Sequence, residues 1–205
     1  MHYWESITAA GDANITLPAA ALIALWLAAA RMPRLALSWC LIFGGLLVLV
    51  GATKLAFIGW GLGIRALDFT GISGHASRAT AVIPVLVYLL CQTWQAGRLR
   101  SAVAAAYAAG ALVACSRVAI GAHSESEVMI GFALGGAASA GFIRLASAQT
   151  PLRISGWLAG LGVLMLCGLT QLDPAPTKAW LKNAALYLSD RSEPFQRGDR
   201  ASPAR

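Results

Sequence analysis

ALSWCLIFGGLLVLVGATK, residues 36–54, decides the class of fold. From Leu35 to Thr53 there is no charged side chain, and a helix of roughly 20 apolar residues is what crosses a hydrocarbon core of about 30 Å. Working outward, five more stretches of mostly apolar residues lie between charges and turn residues, at 17–30, 76–94, 101–115, 127–145 and 154–172. The chain as a whole agrees: of 205 residues 58% are hydrophobic and 12% charged, the mean hydropathy is +0.64, and a soluble domain carries about 25% charge. The expected fold is all-α, a six-transmembrane-helix bundle over residues 1–172 with a polar tail at 173–205.

Several classes are excluded on the same footing. Cys40, Cys91, Cys115 and Cys167 form no close pair and no C-x-x-C, so they read as packing residues inside helices. The net charge of +7 comes from basic residues that punctuate apolar runs instead of gathering on a soluble face, so no nucleic acid is expected as partner. The leading segment MHYWESITAAGDANIT has Glu5 and Asp12 but no Lys or Arg, unlike a signal peptide, and the first stretch is read as a permanent helix. The tail holds four of the eight prolines, and its end is expected to be disordered. Within it Trp180, Ala184, Tyr187 and Leu188 stand opposite Lys178 and Lys182 at helical spacing. That segment either lies along the membrane surface or docks on the protein. Gly135, Gly136, Ala137, Ala138 and Ala140 are assigned to close helix packing.

With six spans the termini share a side with the loops after the second and fourth helices. The opposite loops carry Arg31 and Arg34, Arg98 and Arg100, then Arg144 and Arg153. The first helix has no cation before it and two after it, which places the termini outside the cytoplasm.

Charges beside membrane spans are costly and are functional candidates by default. They fall in two stretches, KLAFIGWGLGIRALDFTGISGHASR at 54–78 and SRVAIGAHSESE at 116–127. Each joins an even-numbered helix to the next odd-numbered one, so both lie at one membrane face in either orientation. That face gathers His75, His123, Lys54, Arg65, Arg78, Arg117, Asp68, Glu125 and Glu127, with Ser73 and Gly74 opening the third helix. Cations around a helix N-terminus make an anion site, and phosphate is the usual occupant. Two histidines beside a phosphate add chemistry: one attacks phosphorus and the other protonates the leaving oxygen. The attacking ring needs a carboxylate to fix its tautomer, and Glu127, four residues after His123, shares a helical face with it. Read singly, Arg78 snorkels toward headgroups, Asp68 is a loop or cap residue or a partner of Arg65, and Trp60 is an interfacial aromatic.

These residues resemble the type-2 phosphatidic acid phosphatase superfamily of integral-membrane lipid phosphatases. That family is marked by Lys-x6-Arg-Pro, Pro-Ser-Gly-His and Ser-Arg-x5-His-x3-Asp. The third motif is matched by Ser116, Arg117 and His123, with Glu127 in place of aspartate. The second is matched by Ser73, Gly74 and His75, with Ile72 in place of proline. In the first, ten residues separate Lys54 from Arg65, and Ala66 follows. The resemblance implies that His123 is the nucleophile, forming a phosphohistidine, and that His75 is the acid for the leaving alcohol. Glu127, or else Glu125, orients His123. Lys54, Arg117 and Arg65 clamp the phosphate, assisted by Ser73 and the Gly74 N–H, and no metal or cofactor takes part. The expected partner is a membrane-embedded lipid phosphate, such as phosphatidate, phosphatidylglycerophosphate, a polyprenyl diphosphate or lipid A, at the periplasmic face of a bacterial inner membrane.

Two rivals come from other classes. Gly71-Ile72-Ser73-Gly74 resembles the GxSG of rhomboid-like intramembrane proteases, with His123 completing a dyad. A non-catalytic lipid-phosphate-binding protein is the other. Zinc hydrolysis lacks an H-E-x-x-H.

Overall fold

The computed structural model describes residues 2–93, 95–151, 160, 162, 164, 168 and 177–197. Among these the chain is helical, with one isolated bridge, between Ile64 and Phe69. Two helices, α1 (His2–Ala9) and α2 (Ala13–Ala29), meet at a turn through Gly11 and Asp12. Then come α3 (Pro33–Trp60), a 3-10 turn at Arg65–Leu67, α4 (Gly74–Cys91), α5 (Ala96–Ala119), α6 (Glu125–Ser147) and α7 (Thr177–Ser189). Five segments among the described residues are long and apolar enough to cross a membrane: Tyr3–Ala29, Pro33–Trp60, Gly74–Cys91, Ala96–Ala119 and Glu125–Ser147. The protein is thus an all-α integral membrane protein. The sixth expected span, 154–172, lies outside the described residues apart from isolated positions.

The first and fourth helices exceed their expected lengths. The fourth expected span, α5, runs over 24 residues, continuing through Arg98 and Arg100 before the apolar stretch and Ser116 and Arg117 after it, since arginine is a good helix former. Polar residues of the leading segment fold too, as α1, which packs on α5. Pro33 starts α3 at a position where its missing N–H costs nothing. Gly61 ends α3 in the left-handed conformation (φ 68°), where a side chain would be strained.

α4 is the central helix, packed against α5 and α6. Small residues set those distances. A Cβ on Gly135 would lie 2.3 Å from Ser77 O, one on Gly131 2.8 Å from Ser73 O, and one on Gly110 2.8 Å from Thr80 Oγ1. In lipid, where apolar burial gives no preference for helix over solvent, such close backbone contact is what holds helices together. Trp39 anchors the other half: it stacks on Phe43 (5.2 Å), meets Phe142 edge-on (5.1 Å) and donates from Nε1 to Ala20 O (2.8 Å). Leu37, Leu41, Val48, Leu112 and Met129 point outward, as do Cys40 and Cys115, which are therefore not core residues.

α7 runs beside the C-terminal half of α3, with Leu181 against Gly51 and Ala185 and Ser189 against Gly59. Its docked face carries Leu181 and Ala185, whereas Trp180, Tyr187 and Leu188 are exposed. Residues 190–197 continue along the end of α3, where the Phe195 N–H donates to Ile58 O (2.9 Å).

Candidate active site

The C-terminal ends of α3 and α5 and the N-terminal ends of α2, α4 and α6 meet at one end of the bundle. The turn Ile120–Ser124 presents His123, and α6 begins at once after it with a capping box in which the Ser124 side chain receives the Glu127 N–H and Glu127 receives the Ser124 N–H (3.3 Å). That box fixes the Glu127 carboxylate below the preceding turn. His123 Nδ1 lies 2.6 Å from Glu127 Oε2, so Nδ1 carries the proton toward the carboxylate. Nε2 makes no hydrogen bond to the described residues. Glu127 is fully buried; its other oxygen accepts the Thr70 N–H (2.6 Å) and the Thr70 hydroxyl. Of the two glutamates, Glu127 is the one within hydrogen-bond distance of His123, and Glu125 is exposed.

Burial pushes the His123 imidazole below its ordinary value of 6.5, and Lys54 and Arg117 push the same way, against the hydrogen bond that the ring donates to Glu127. The bare-nitrogen form of the ring is therefore the one present near neutral pH.

A cavity of about 420 Å³ opens beside His123. Lys54, Arg78 and Arg117 line it together with His123, Thr70, Gly71 and Ala122, and Leu47, Val50, Phe57, Ile58 and Leu181 form an apolar part of its wall. Arg117 is buried, donates from Nη1 to Thr8 Oγ1 (2.9 Å), and keeps Nε without a partner among the described residues. A Cβ on Gly74 would fall 2.8 Å from Arg78 Nη1 and 3.7 Å from Lys54 Nζ, so the glycine leaves open the space on which two cations converge.

Arg78 is thus a correction to the sequence reading. It does not snorkel: Nε donates to Thr16 Oγ1 (3.0 Å) and Nη2 to Gly11 O (3.0 Å), because the α1–α2 turn sits directly over the first turn of α4. The same turn supplies Asp12, whose Oδ1 lies 2.6 Å from His75 Nε2. Gly11 permits this approach, since a Cβ there would lie 2.8 Å from Val113 Cγ1 and 3.0 Å from His75 Cβ. Asp12 is not singled out by the sequence, and Arg78, one of the charges gathered at this face, stands one helical turn after Gly74, a spacing that puts both on one edge of the helix.

His75, Ser73 and Gly74 lie at the start of α4 but are not on the cavity wall. The Ser73 N–H donates to Glu127 O (3.1 Å), and its hydroxyl is buried without a partner among the described residues. The Ser73–His123 dyad required of a protease is therefore not formed among the described residues. Arg65 is exposed on the 3-10 turn and is not brought to the cavity. Asp68 caps that turn, and its ionic partner is Arg197 of the tail, not Arg65. Trp60 is exposed at the end of α3. No three His, Cys, Asp or Glu side chains among the described residues gather as a metal site.

Residues 57–151 match the family model of the PAP2 superfamily. The chain is also 40% identical over 202 residues, 96% of either chain, to an uncharacterized 22.5 kDa protein in the cps region of Klebsiella pneumoniae. No solved structure matches it.

Proposed function

Given that the chain belongs to the PAP2 superfamily, whose members are phosphoric ester hydrolases, we propose that it hydrolyses a phosphate monoester or diphosphate of a membrane lipid through a phosphohistidine at His123. One observation carries the reading: the wall that presents His123 and three cations continues into an apolar wall formed by α3 and α7. A phosphate headgroup fits the first part and a hydrocarbon chain the second.

In the proposed reaction His123 Nε2 attacks phosphorus while the bond from phosphorus to the leaving oxygen breaks. Lys54, Arg78 and Arg117 take up the charge on the equatorial oxygens, which is the main work in phosphoryl transfer. His75, entering as the imidazolium with Nε2–H held by Asp12, gives its Nδ1 proton to the leaving oxygen. Water then attacks the phosphohistidine, returns a proton to His75 and releases phosphate with His123 restored. Glu127 holds Nδ1–H throughout and stabilises the ring as it gains positive character. Gly74 keeps open the space on which Lys54 and Arg78 converge, whereas Ser73, and Arg65 outside the cavity, are given no step.

The test is phosphate release by the purified protein over phosphatidate, phosphatidylglycerophosphate, polyprenyl diphosphate and lipid A, without added metal, beside His123→Ala. The reading expects release that the variant abolishes. Equal release by both proteins, or none by a folded wild type, sinks it; the second result leaves lipid-phosphate binding without turnover. We place the site on the periplasmic face of a bacterial inner membrane, from the charge asymmetry about the first helix. A membrane-impermeant maleimide should then label Glu125→Cys in intact spheroplasts, and labelling only after lysis would reverse the orientation.

A further inference from the structure

Glu127 has one more methylene than the aspartate of the family's third motif, and so one more torsion that must be fixed for the His123 ring to be fixed. The donors that reach its buried carboxylate come from three separate parts of the chain. His123 Nδ1 (2.6 Å) and the Ser124 N–H (3.3 Å) come from the turn before α6, and Thr70 comes from the loop after α3. The third is Arg197 of the tail, whose Nη2 donates to Glu127 Oε2 at 2.9 Å. Its Nη1 pairs with Asp68, and Nη2 also reaches Thr70 Oγ1 at 3.3 Å. One planar guanidinium therefore ties the loop after α3 to the first turn of α6.

The tail is held where this contact needs it. The Phe195 N–H bonds Ile58 O (2.9 Å), the Phe195 ring packs against Gly61, and the Arg191 guanidinium lies 4.1 Å from the centre of that ring. Arg197 is not on the cavity wall, so it has no direct access to a bound phosphate.

Resting on the phosphohistidine reading, we infer that Arg197 is a positioning residue: through Glu127 it fixes the nucleophilic ring of His123 without touching the substrate. Arg197 and the His123 Nδ1–H share one oxygen, Oε2. Each donor weakens that oxygen's hold on the other, so the guanidinium limits how strongly the carboxylate favours a protonated ring. The charged groups facing His123 are Lys54 from α3, Arg78 from α4, Arg117 from α5 and Glu127 from α6, with Asp68 on the far side of Arg197. Removing Arg197 leaves Oε2 to the ring and the longer contact from the Ser124 N–H (3.3 Å), and takes away one of the ties on the last torsion of Glu127. The proton on His123 is then held more tightly, and fewer molecules present Nε2 in line with phosphorus.

The experiment uses the full chain in lipid nanodiscs, as wild type, R197Q and R197K. Two quantities are read: kcat and KM for phosphate release from phosphatidate across pH, and the NMR titration of the His123 ring, assigned by its disappearance in H123Q. Expected for R197Q are a kcat about tenfold lower, in the range typical for a group behind the reacting one, and a KM within about twofold of wild type. The His123 midpoint and the acid limb of kcat should both move upward, by about half a pH unit. R197K, which keeps the charge but not the planar fork, should fall between. A His123 midpoint that is the same in R197Q and wild type overturns the inference whatever the activity. So does a kcat loss with an unmoved acid limb and no recovery in R197K, which marks a merely structural contact. If the wild type releases no phosphate while R197Q still moves the midpoint, the phosphatase reading falls and the coupling of Arg197 to His123 stands.

Discussion

His123 and His75 each place a ring nitrogen 2.6 Å from a carboxylate oxygen, but the two pairs are built in opposite ways. The partner of His123 is four residues away in the same turn and is fully buried, with its remaining lone pairs taken by Thr70, Ser124 and Arg197. The partner of His75 is 63 residues away, on the turn between α1 and α2, and its side chain is 30% exposed. A local, closed pair suits a ring that must keep one tautomer throughout a turnover. An open pair assembled from a distant turn suits a ring that must give up and regain a proton.

The largest effect that would separate the pairs is at Glu127. Glu127→Gln puts an amide where several donors already converge, so the tautomer of His123 is no longer dictated. A loss in kcat of about 10³–10⁴-fold is expected, of the size seen when the carboxylate of a Ser-His-Asp triad is made an amide. Phosphate release measured on a variant with the wild-type melting temperature checks it. Asp12→Asn should cost less, about 10–100-fold, and selectively: an alkyl phosphate, whose leaving oxygen needs a proton, should suffer, whereas p-nitrophenyl phosphate should be nearly unaffected. Equal losses on the two substrates would remove the division of labour between the histidines.

The difference also explains what could be read from sequence. His123, Arg117 and Glu127 are within one turn of helix or one tight loop, so their spacing alone carried the pair. Ser124-x-x-Glu127, a capping-box pattern, was the signal that could have chosen Glu127 over Glu125. Five of the six expected spans, those among the described residues, were legible because apolar length is a local property, and with them the single face on which both histidine stretches meet. Asp12 and Arg197 were not legible, and Arg78 was legible only as a cation on that face, not for what it contacts. Each acts across a tertiary contact, over 63 residues for Asp12 with His75, 62 for Arg78 with Thr16 and 70 for Arg197 with Glu127. Arg65 shows the converse. The first-motif spacing pointed to it, but the first six of the ten residues between Lys54 and Arg65 complete α3, and the loop that follows, closed by the Ile64–Phe69 bridge, leaves Arg65 exposed. Arg78 reaches the space beside Gly74 instead.

Acidity sharpens the comparison further. Attack needs His123 without a proton on Nε2, so activity rises as pH rises through the ring's midpoint. Because burial, with help from Lys54 and Arg117, lowers that midpoint from 6.5, the acid limb of kcat/KM should lie below pH 6.5. Lys54→Met removes one of the lowering charges and should shift the limb upward, besides raising KM several-fold through the lost phosphate contact. A limb that stays in place would mean that Lys54 acts on the substrate alone.

The smallest effect belongs to the apolar wall, and it tests whether the headgroup site and the chain site are one cavity. Leu181 of α7 is 4.0 Å from the Cβ position of Gly51 and faces the same space as Leu47 and Val50 of α3. It is distant from the histidine pairs in sequence and belongs to a helix that the apolar spans do not require. Leu181→Ala removes about three methylene-sized groups from the wall, each worth about 0.8 kcal/mol when fully buried against a chain. Only part of that contact is realised in an open groove, so a loss of a few-fold in kcat/KM is expected for a long-chain lipid phosphate. A short-chain, water-soluble phosphate that never reaches α7 should show none. The ratio of the two substrates is the quantity to measure, because a general disturbance of α7 would lower both. A ratio that is unchanged would place the hydrocarbon chain elsewhere on the bundle and leave α7 as a brace for α3 and for the tail that follows it.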